Sequence, residues 1–168
     1  MRNLFASTLL VLAAGLAQAG DRVQVSFTDT EKFADFGRSL WDRERNQQEL
    51  TALWQEVAAK LPAGQQLSIK VLDVNLAGEL EWVRRATAEL RVLRDVTWPR
   101  MEFEYQLSEN GRVLKSDTVS LSDMGYLQNG FFSAEQQSTP LRYERRMLDR
   151  WFRVACPATA RTMREYGP

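Results

Sequence analysis

The sequence predicts an α+β fold: a single two-layer domain in which two main helices cover one face of a largely antiparallel sheet of about four strands. Three observations favour this class. Segments with a period of two residues alternate with two segments of helical period, an Asn-Gly pair separates two of the strand segments, and no internal repeat occurs. About 150 residues follow the N-terminal leader, which is enough for one domain with a substantial core.

The N-terminus has the features of a cleavable signal peptide. Met1–Asn3 carries a positive charge, Leu4–Leu16 is apolar, and Ala17-Gln18-Ala19 fits the small-x-small cleavage pattern. The apolar run is shorter than the about 20 residues that a bilayer-spanning helix needs, although a retained N-terminal anchor is the alternative. We therefore expect cleavage after Ala19 (signal peptide 1–19), a periplasmic mature chain and no transmembrane segment in it.

The composition excludes several classes of function. Removal of Arg2 with the leader leaves 21 basic against 22 acidic residues, a balance that argues against general nucleic-acid binding. Histidine is absent from the sequence, which excludes Ser-His-Asp, Cys-His and histidine-zinc sites. Neither a glycine-rich phosphate loop nor a G-x-S-x-G motif occurs, so we expect no cofactor.

The first half of the mature domain (20–154) predicts a strand, a loop, a helix and a second strand. Residues 22–28 alternate as in a half-buried strand, and the polar segment that follows is interpreted as a loop. A helix is predicted over 39–61, with Ser39 as N-cap and an apolar stripe that places its tryptophans, Trp41 and Trp54, in the core.

The second predicted strand contains a break in its alternation. Within residues 66–76 the apolar positions shift by one residue near Val71-Leu72, which indicates a β-bulge or a strand covered on both faces. The next segment, 79–90, has weak helical spacing at Leu80, Val83 and Leu90, which favours a helix.

The second half predicts a hairpin and a helix. Residues 101–107 alternate strictly, Asn110-Gly111 is a turn dipeptide, and the return strand covers 113–121. After a long polar loop, Thr139-Pro140 is the expected start of a helix that ends near residue 154. Its inward residues are expected to be Met147, Leu148, Trp151 and Phe152.

Cys156 is the only cysteine, which rules out an internal disulfide. It belongs to a C-terminal tail (155–168) with little periodicity. Two interpretations stay open: an inert thiol near a frayed chain end, or an intermolecular disulfide formed in an oxidising compartment.

A polar cluster precedes the strand that begins near Met101. It contains three arginines, an aspartate and a tryptophan: Arg91, Arg94, Asp95, Trp98 and Arg100. One interpretation is a clamp at the start of the strand, in which Asp95 neutralises one or two arginines. The other is an anion-binding edge, with arginine forks beside a flat Trp98. Because the arginines outnumber the nearby acid, we predict that some guanidinium groups face outward and bind a partner.

A second set of arginines lies along the C-terminal helix: Arg142, Arg145, Arg146, Arg150 and Arg153. Most of them fall on one helical face, and Glu144 and Asp149 flank it. A run of this kind is typical of a solvated face. Contact with anionic lipid head groups or another acidic partner is the alternative.

The candidates for acid–base chemistry are carboxylates: Asp29, Glu31, Asp73, Glu79, Glu81, Asp95 and Asp123. Two carboxylates about 5–9 Å apart can hydrolyse a glycosidic bond. Whether Asp73, Asp95 and Asp123 converge on a pocket or pair with arginines therefore distinguishes an enzyme from a binding module. Asp73-Val-Asn75 with Glu79 lacks the spacing of a calcium loop, so we predict no metal site there.

Five segments of the chain resemble one family: VQVSFTDTEKFADFG, LSIKVLDVNLAGE, LRVLRDVTWPRMEFEY, LSDMGYL and PLRYERRMLDRWF. Together they cover about Arg22–Phe152, and Arg94–Arg100 is among the most specific pieces. The chain resembles exported Gram-negative bacterial proteins that are defined only as a domain of unknown function. The resemblance implies export and a single domain, and no catalytic residue. Asn75 stands where an acidic residue is expected, which disfavours a paired-carboxylate site.

The sequence thus predicts an uncharacterised periplasmic domain that acts as a non-enzymatic binding module. Its partner would be an envelope protein or an anionic envelope polymer, contacted through the polar cluster around Arg94–Arg100. The alternative function is a carboxylate-dependent hydrolase that acts on an envelope glycan or ester.

Overall fold

The computed structural model describes residues 22–129 and 132–156. The predicted signal peptide (1–19), its cleavage after Ala19 and the part of the tail after Cys156 lie outside these residues. Where the tail was predicted to begin, Ala155 still belongs to the last helix, and Cys156 follows as its C-cap.

A four-stranded mixed sheet forms one layer of the domain. Its strands lie in the order β1-β2-β5-β6: β1 (Val23–Phe27), β2 (Gln65–Asn75), β5 (Arg100–Glu109) and β6 (Arg112–Ser122). β1 pairs with β2 in parallel, and the other two pairings are antiparallel. A separate two-stranded sheet is made by β3 (Glu79–Val83) and β4 (Ala88–Val92).

Two long helices, α1 (Leu40–Ala58) and α3 (Arg142–Ala155), form the second layer, and a short helix α2 (Ala134–Gln137) precedes α3. Side chains of both long helices and of the sheet share one buried cluster. Alternate residues of β5, beginning with Arg100 and Glu102, are exposed, so the opposite face of this strand is solvated. The predicted α+β two-layer class is confirmed.

An aromatic cluster joins the two layers at the centre of the core. The Trp54 ring lies 5.0 Å from the Phe103 ring and 5.7 Å from the Trp151 ring, in edge-to-face geometry. Trp151 also contacts Phe103 and Tyr105, at centroid distances of 5.0 and 5.1 Å. Aromatic pairs of this geometry add to the free energy of simple apolar burial, so this contact couples α1, α3 and β5.

The start of α1 is confirmed, whereas one of its two tryptophans was placed wrongly. The Asp42 N–H donates to Ser39 Oγ, and the Ser39 N–H donates to the Asp42 carboxylate, which completes a capping box. Trp54 is fully buried, but Trp41 is 77% exposed. Trp41 precedes the core residue Leu50 by nine positions, which places it about 180° away around the helix.

Of the two interpretations of the broken alternation in β2, the bulge is confirmed. Val71 pairs with Phe103 and Asp73 pairs with Glu102, so Leu72 is the extra residue. The insertion lets Val71 and Val74 both reach the core although three residues separate them. The hairpin between β5 and β6 is also confirmed. Asn110 and Gly111 both have positive φ values, 49° and 81°, as a tight two-residue turn requires.

Two predictions about local structure are wrong. Residues 79–90 form most of the β3–β4 hairpin rather than a helix. At its tip Thr87 takes a positive φ of 50°, which reverses the chain. The last helix begins at Arg142 rather than at Thr139-Pro140. Leu141 has a left-handed φ of 50° and separates the turn after α2 from α3.

The prediction of a frayed end at Cys156 is wrong as well. Cys156 is 3% exposed, and its N–H donates to the Phe152 carbonyl. Burial raises the pKa of its thiol, which disfavours the reactive thiolate. An intermolecular disulfide would therefore need this end of α3 to open.

The two tryptophans of α1 provide a matched test of the core. We expect Trp54→Ala to lower the free energy of unfolding by about 3–5 kcal/mol, because it leaves a cavity against Phe103 and Trp151. Trp41→Ala removes an exposed side chain and should change that free energy by less than about 0.5 kcal/mol. Urea unfolding measures both, and equal losses would contradict the assignment of Trp54 as the core residue.

Candidate functional site

The predicted polar cluster lies where the β3–β4 hairpin returns to the main sheet. Two of its three arginines are neutralised internally. Arg91 on β4 donates to the Asp35 carboxylate at 2.8 and 3.3 Å and to the Gly78 carbonyl at 3.0 Å. Arg94 binds both carboxylate oxygens of Glu81, across the hairpin, and its bond lowers the pKa of Glu81. The expected surplus of positive charge is therefore largely met by acids from other segments.

Asp95 does not have its expected role. Its carboxylate is exposed and accepts a hydrogen bond from the Gln128 side chain at 2.8 Å. Within the described residues no arginine or lysine forms an ion pair with it. The neutralising acids for Arg91 and Arg94 are Asp35 and Glu81, so the clamp at the start of the strand exists but is built from other carboxylates.

Within the described residues, Arg100 is the one cluster arginine without a paired carboxylate. It is exposed at the first position of β5, and its guanidinium lies 5.7 Å from the centre of the Trp98 ring. In the part of the chain that the structure describes, no acidic side chain forms an ion pair with it. Pro99, which follows Trp98, favours an extended backbone there and so fixes the ring beside the strand.

Trp98 and Arg100 line a groove of about 460 Å³, which we call the Trp98–Arg100 groove. Its other wall is the segment 33–38, which precedes α1. A second groove of about 500 Å³ lies between α1 and the start of α3, and Arg91 lines it. Asp35 lines the first groove and its partner Arg91 lines the second, so this ion pair lies where the two grooves adjoin.

The second groove contains a buried acid that the sequence analysis did not select. Glu144, in the first turn of α3, is 2% exposed and accepts a hydrogen bond from the Ala77 N–H at 2.7 Å. Burial raises the pKa of Glu144, while the Ala77 N–H and the charges of Arg91 and Arg142 oppose that rise. The sequence could have indicated its burial, since Glu144 precedes the core residues Met147 and Leu148 by three and four positions and so shares their helical face.

The carboxylates whose convergence on a pocket would have indicated an enzyme have separate partners. Asp73 accepts from the Ala34 N–H at 2.8 Å, and the buried Asp123 accepts from Asn129 and lies 3.4 Å from Arg146. Neither groove is lined by Asp73, Asp95 or Asp123. No three potential metal-ligating side chains meet anywhere in residues 22–129 and 132–156.

The fold and the grooves define an α+β domain whose polar clefts lie at one end of the sheet. The chain belongs to the family described as "Protein of unknown function (DUF3016)", whose sequence profile matches residues 21–154. This confirms the family resemblance. Comparison with curated proteins and with solved structures gave no match. Among the helices of the described segments, none combines the length and apolar character needed to cross a bilayer.

Glu144 predicts a specific pH dependence of stability. Its folded pKa is raised above the ordinary value of 4.5, so the folded protein holds this proton more tightly than the unfolded chain. The contribution of Glu144 to stability is therefore greatest below the unfolded pKa and falls as pH rises toward the folded pKa. The slope is at most about 1.4 kcal/mol per pH unit.

Glu144→Gln should remove this component, because the amide oxygen still accepts from Ala77 without an ionisable group. We expect the stability difference between Glu144→Gln and the parent to shift in favour of the variant as pH rises from 4 to 8. Urea unfolding at intervals across this range measures it. A difference that does not change with pH would show that Glu144 has an unshifted pKa.

Proposed function

We propose that this protein is an exported, periplasmic binding module without catalytic activity, and that the Trp98–Arg100 groove holds a charged segment of an envelope partner. The observation that carries the proposal is Arg100, an exposed guanidinium beside an aromatic ring with no carboxylate paired to it in the described residues. Guanidinium groups fixed beside aromatic faces are well suited to bind carboxylate or phosphate oxygens.

The groove also presents apolar surface next to this cation. Val96 lines it and is 74% exposed, and the Trp98 ring contributes a flat face. An exposed ion pair alone adds only about 0–1 kcal/mol. The adjoining apolar surface is therefore needed for useful affinity, and it matches a partner that carries an anionic group beside an apolar one.

The charges in the groove favour a protein or peptide over a uniformly anionic polymer. Glu79 lines the same groove, and no cation in the described residues forms an ion pair with it. Two other charged residues of the groove wall are already paired: Asp35 with Arg91, and Arg38 with Glu89. The groove thus offers one guanidinium and one carboxylate, which suits a segment that bears both signs of charge.

Site-specific photo-cross-linking in the periplasm tests this proposal. We expect a cross-linker at position 96, in the groove, to capture a defined partner, and Arg100→Ala to reduce capture at least about fivefold because the anchoring cation is lost. Position 114 is the matched control, since Leu114 is an exposed apolar residue on the remote strand β6. Equal capture at both positions, or capture unchanged by Arg100→Ala, would remove the groove as the site.

Glu79 distinguishes the two kinds of partner. For a partner with both charges, Glu79→Gln should weaken capture, because the carboxylate binds a cation of the partner. For a uniformly anionic polymer the same change should tighten binding, because it removes like-charge repulsion. Co-sedimentation with purified cell-wall sacculi, with Arg112→Ala as a control for an exposed arginine elsewhere, measures the polymer case.

Export is tested by the N-terminus of the purified protein. We expect N-terminal sequencing of protein from the periplasmic fraction to begin at Gly20, as cleavage after Ala19 requires. Protein that keeps Met1 and fractionates with the cytoplasm would contradict both the signal peptide and the periplasmic location.

Glu144 favours a second candidate function, a carboxylate-dependent hydrolase. A desolvated carboxyl with a raised pKa is suited to act as a general acid, and Glu49 lines the same groove and would be the second carboxylate. The low exposure of Glu144 and its hydrogen bond to Ala77 argue for a structural role. Release of soluble fragments from sacculi that is abolished by Glu144→Gln and by Glu49→Gln would establish the hydrolase.

A further inference from the structure

A pocket of about 230 Å³ lies on the outer face of α3, where it adjoins the second groove through Thr139 and Arg142. We call it the arginine pocket. Five of the residues that line it come from α3 and are spaced by three or four positions, so they share one helical face. The residues on which the argument depends are Arg142, Arg145, Arg146, Asp149, Arg153 and Phe132.

The acids around the arginine pocket are already engaged. Asp149, an acidic residue of the lining, is bridged by Lys60 from α1. Arg145 is bridged by Glu56, also from α1. The Asp123 carboxylate lies 3.4 Å from the guanidinium of Arg146 and 4.0 Å from that of Arg150.

Two of the four arginines donate to main-chain carbonyls instead of carboxylates. Arg142 donates to the Gln137 carbonyl at 2.8 Å, and Arg153 donates through Nε to the Asp149 carbonyl at 3.2 Å. Across the described ranges, neither arginine forms an ion pair with a carboxylate. A main-chain carbonyl satisfies one donor of a guanidinium and leaves most of its fork and all of its charge available.

Aromatic rings hold the guanidinium groups in place. Arg146 lies over the Phe132 ring at 5.0 Å, and Arg142 lies over the Tyr143 ring at 4.8 Å. Stacking occupies the faces of these groups and leaves their N–H edges for hydrogen bonds. The edge of Arg146 already donates to the Asn129 and Tyr126 carbonyls, whereas Arg142 keeps donors beyond its bond to Gln137. The Nε atoms of Arg145 and Arg146 are also buried and donate to no acceptor in the described residues.

We propose that the arginine pocket is a binding site for a phosphate group. Four guanidinium groups line one small pocket, and two of them, those of Arg142 and Arg153, have no paired carboxylate in the described residues. Such a lining matches an anion with oxygens in several directions and about two negative charges, which a planar carboxylate does not provide. The pocket volume corresponds to one such group with a short substituent. The proposal does not depend on the Trp98–Arg100 groove, with which the arginine pocket shares no lining residue.

Titration of the mature protein with inorganic phosphate tests the proposal. Isothermal calorimetry at low ionic strength should show one site, and Arg153→Ala should weaken it about tenfold or more through loss of a charged fork. Arg153 is exposed, and its hydrogen bond to the Asp149 carbonyl lies within its own helix, so this variant should fold. Arg142→Ala should weaken binding similarly.

Arg150→Ala is the matched control, because it removes the same charge from the same helix outside the pocket lining. It should change phosphate affinity by less than about threefold. Equal losses for Arg150→Ala and Arg153→Ala would overturn the site in favour of general surface charge. Acetate that binds as tightly as phosphate would also overturn it. So would the absence of binding at about 10 mM phosphate.

A second experiment distinguishes a lipid head group from a soluble compound as the source of the phosphate. Vesicles of phosphatidylcholine with and without phosphatidic acid are mixed with the same proteins and sedimented. Sedimentation that requires phosphatidic acid and Arg153, and that soluble phosphate reverses, assigns a lipid head group. Calorimetric binding of inorganic phosphate without such sedimentation assigns a soluble phosphate compound. Both results support the phosphate site.

Discussion

The edge-to-face contact among Trp54, Phe103 and Trp151 is the interaction on which the rest of the structure depends. It joins both long helices to β5 at the interface between the two layers. Since burial of large aromatic side chains dominates the stability of a small core, the positions of α1 and α3 over the sheet follow from it. The grooves at the hairpin end and the arginine pocket both include residues of these helices or of the loops that they fix.

Charge pairing then determines which surfaces are available to a partner. Most arginines of the hairpin end and of α3 are held by carboxylates or carbonyls of distant segments, such as Asp35 for Arg91 and Glu56 for Arg145. These pairs set the shape of the surface. Arg100 and Arg153 are the exceptions that matter for binding, because each has an exposed guanidinium with no paired acid in the described residues.

Local patterns in the sequence were sufficient to predict much of the fold. The bulge near Val71-Leu72, the Asn110-Gly111 turn and the Ser39 N-cap depend on neighbouring residues, and all three were predicted. The β3–β4 hairpin was missed because its strands are exposed on both faces and show no clean alternation. The partners of Arg91 and Arg94 were missed because ion pairs between distant segments leave no periodic signal. Glu144 could have been found from its place on the apolar stripe of α3.

The parallel pairing of β1 with β2 has a consequence for the order of folding. Val23 and Leu67 are partners although they lie 44 residues apart, whereas β5 and β6 are joined by a two-residue turn. Closing the longer loop costs more chain entropy, and α1 must be formed and docked before that cost is recovered. The β5–β6 hairpin is therefore the expected nucleus for folding. β1 and β6 are both edge strands, but β1 alone of the two depends on closure of the long loop, so its amide protons should exchange with solvent before those of β6.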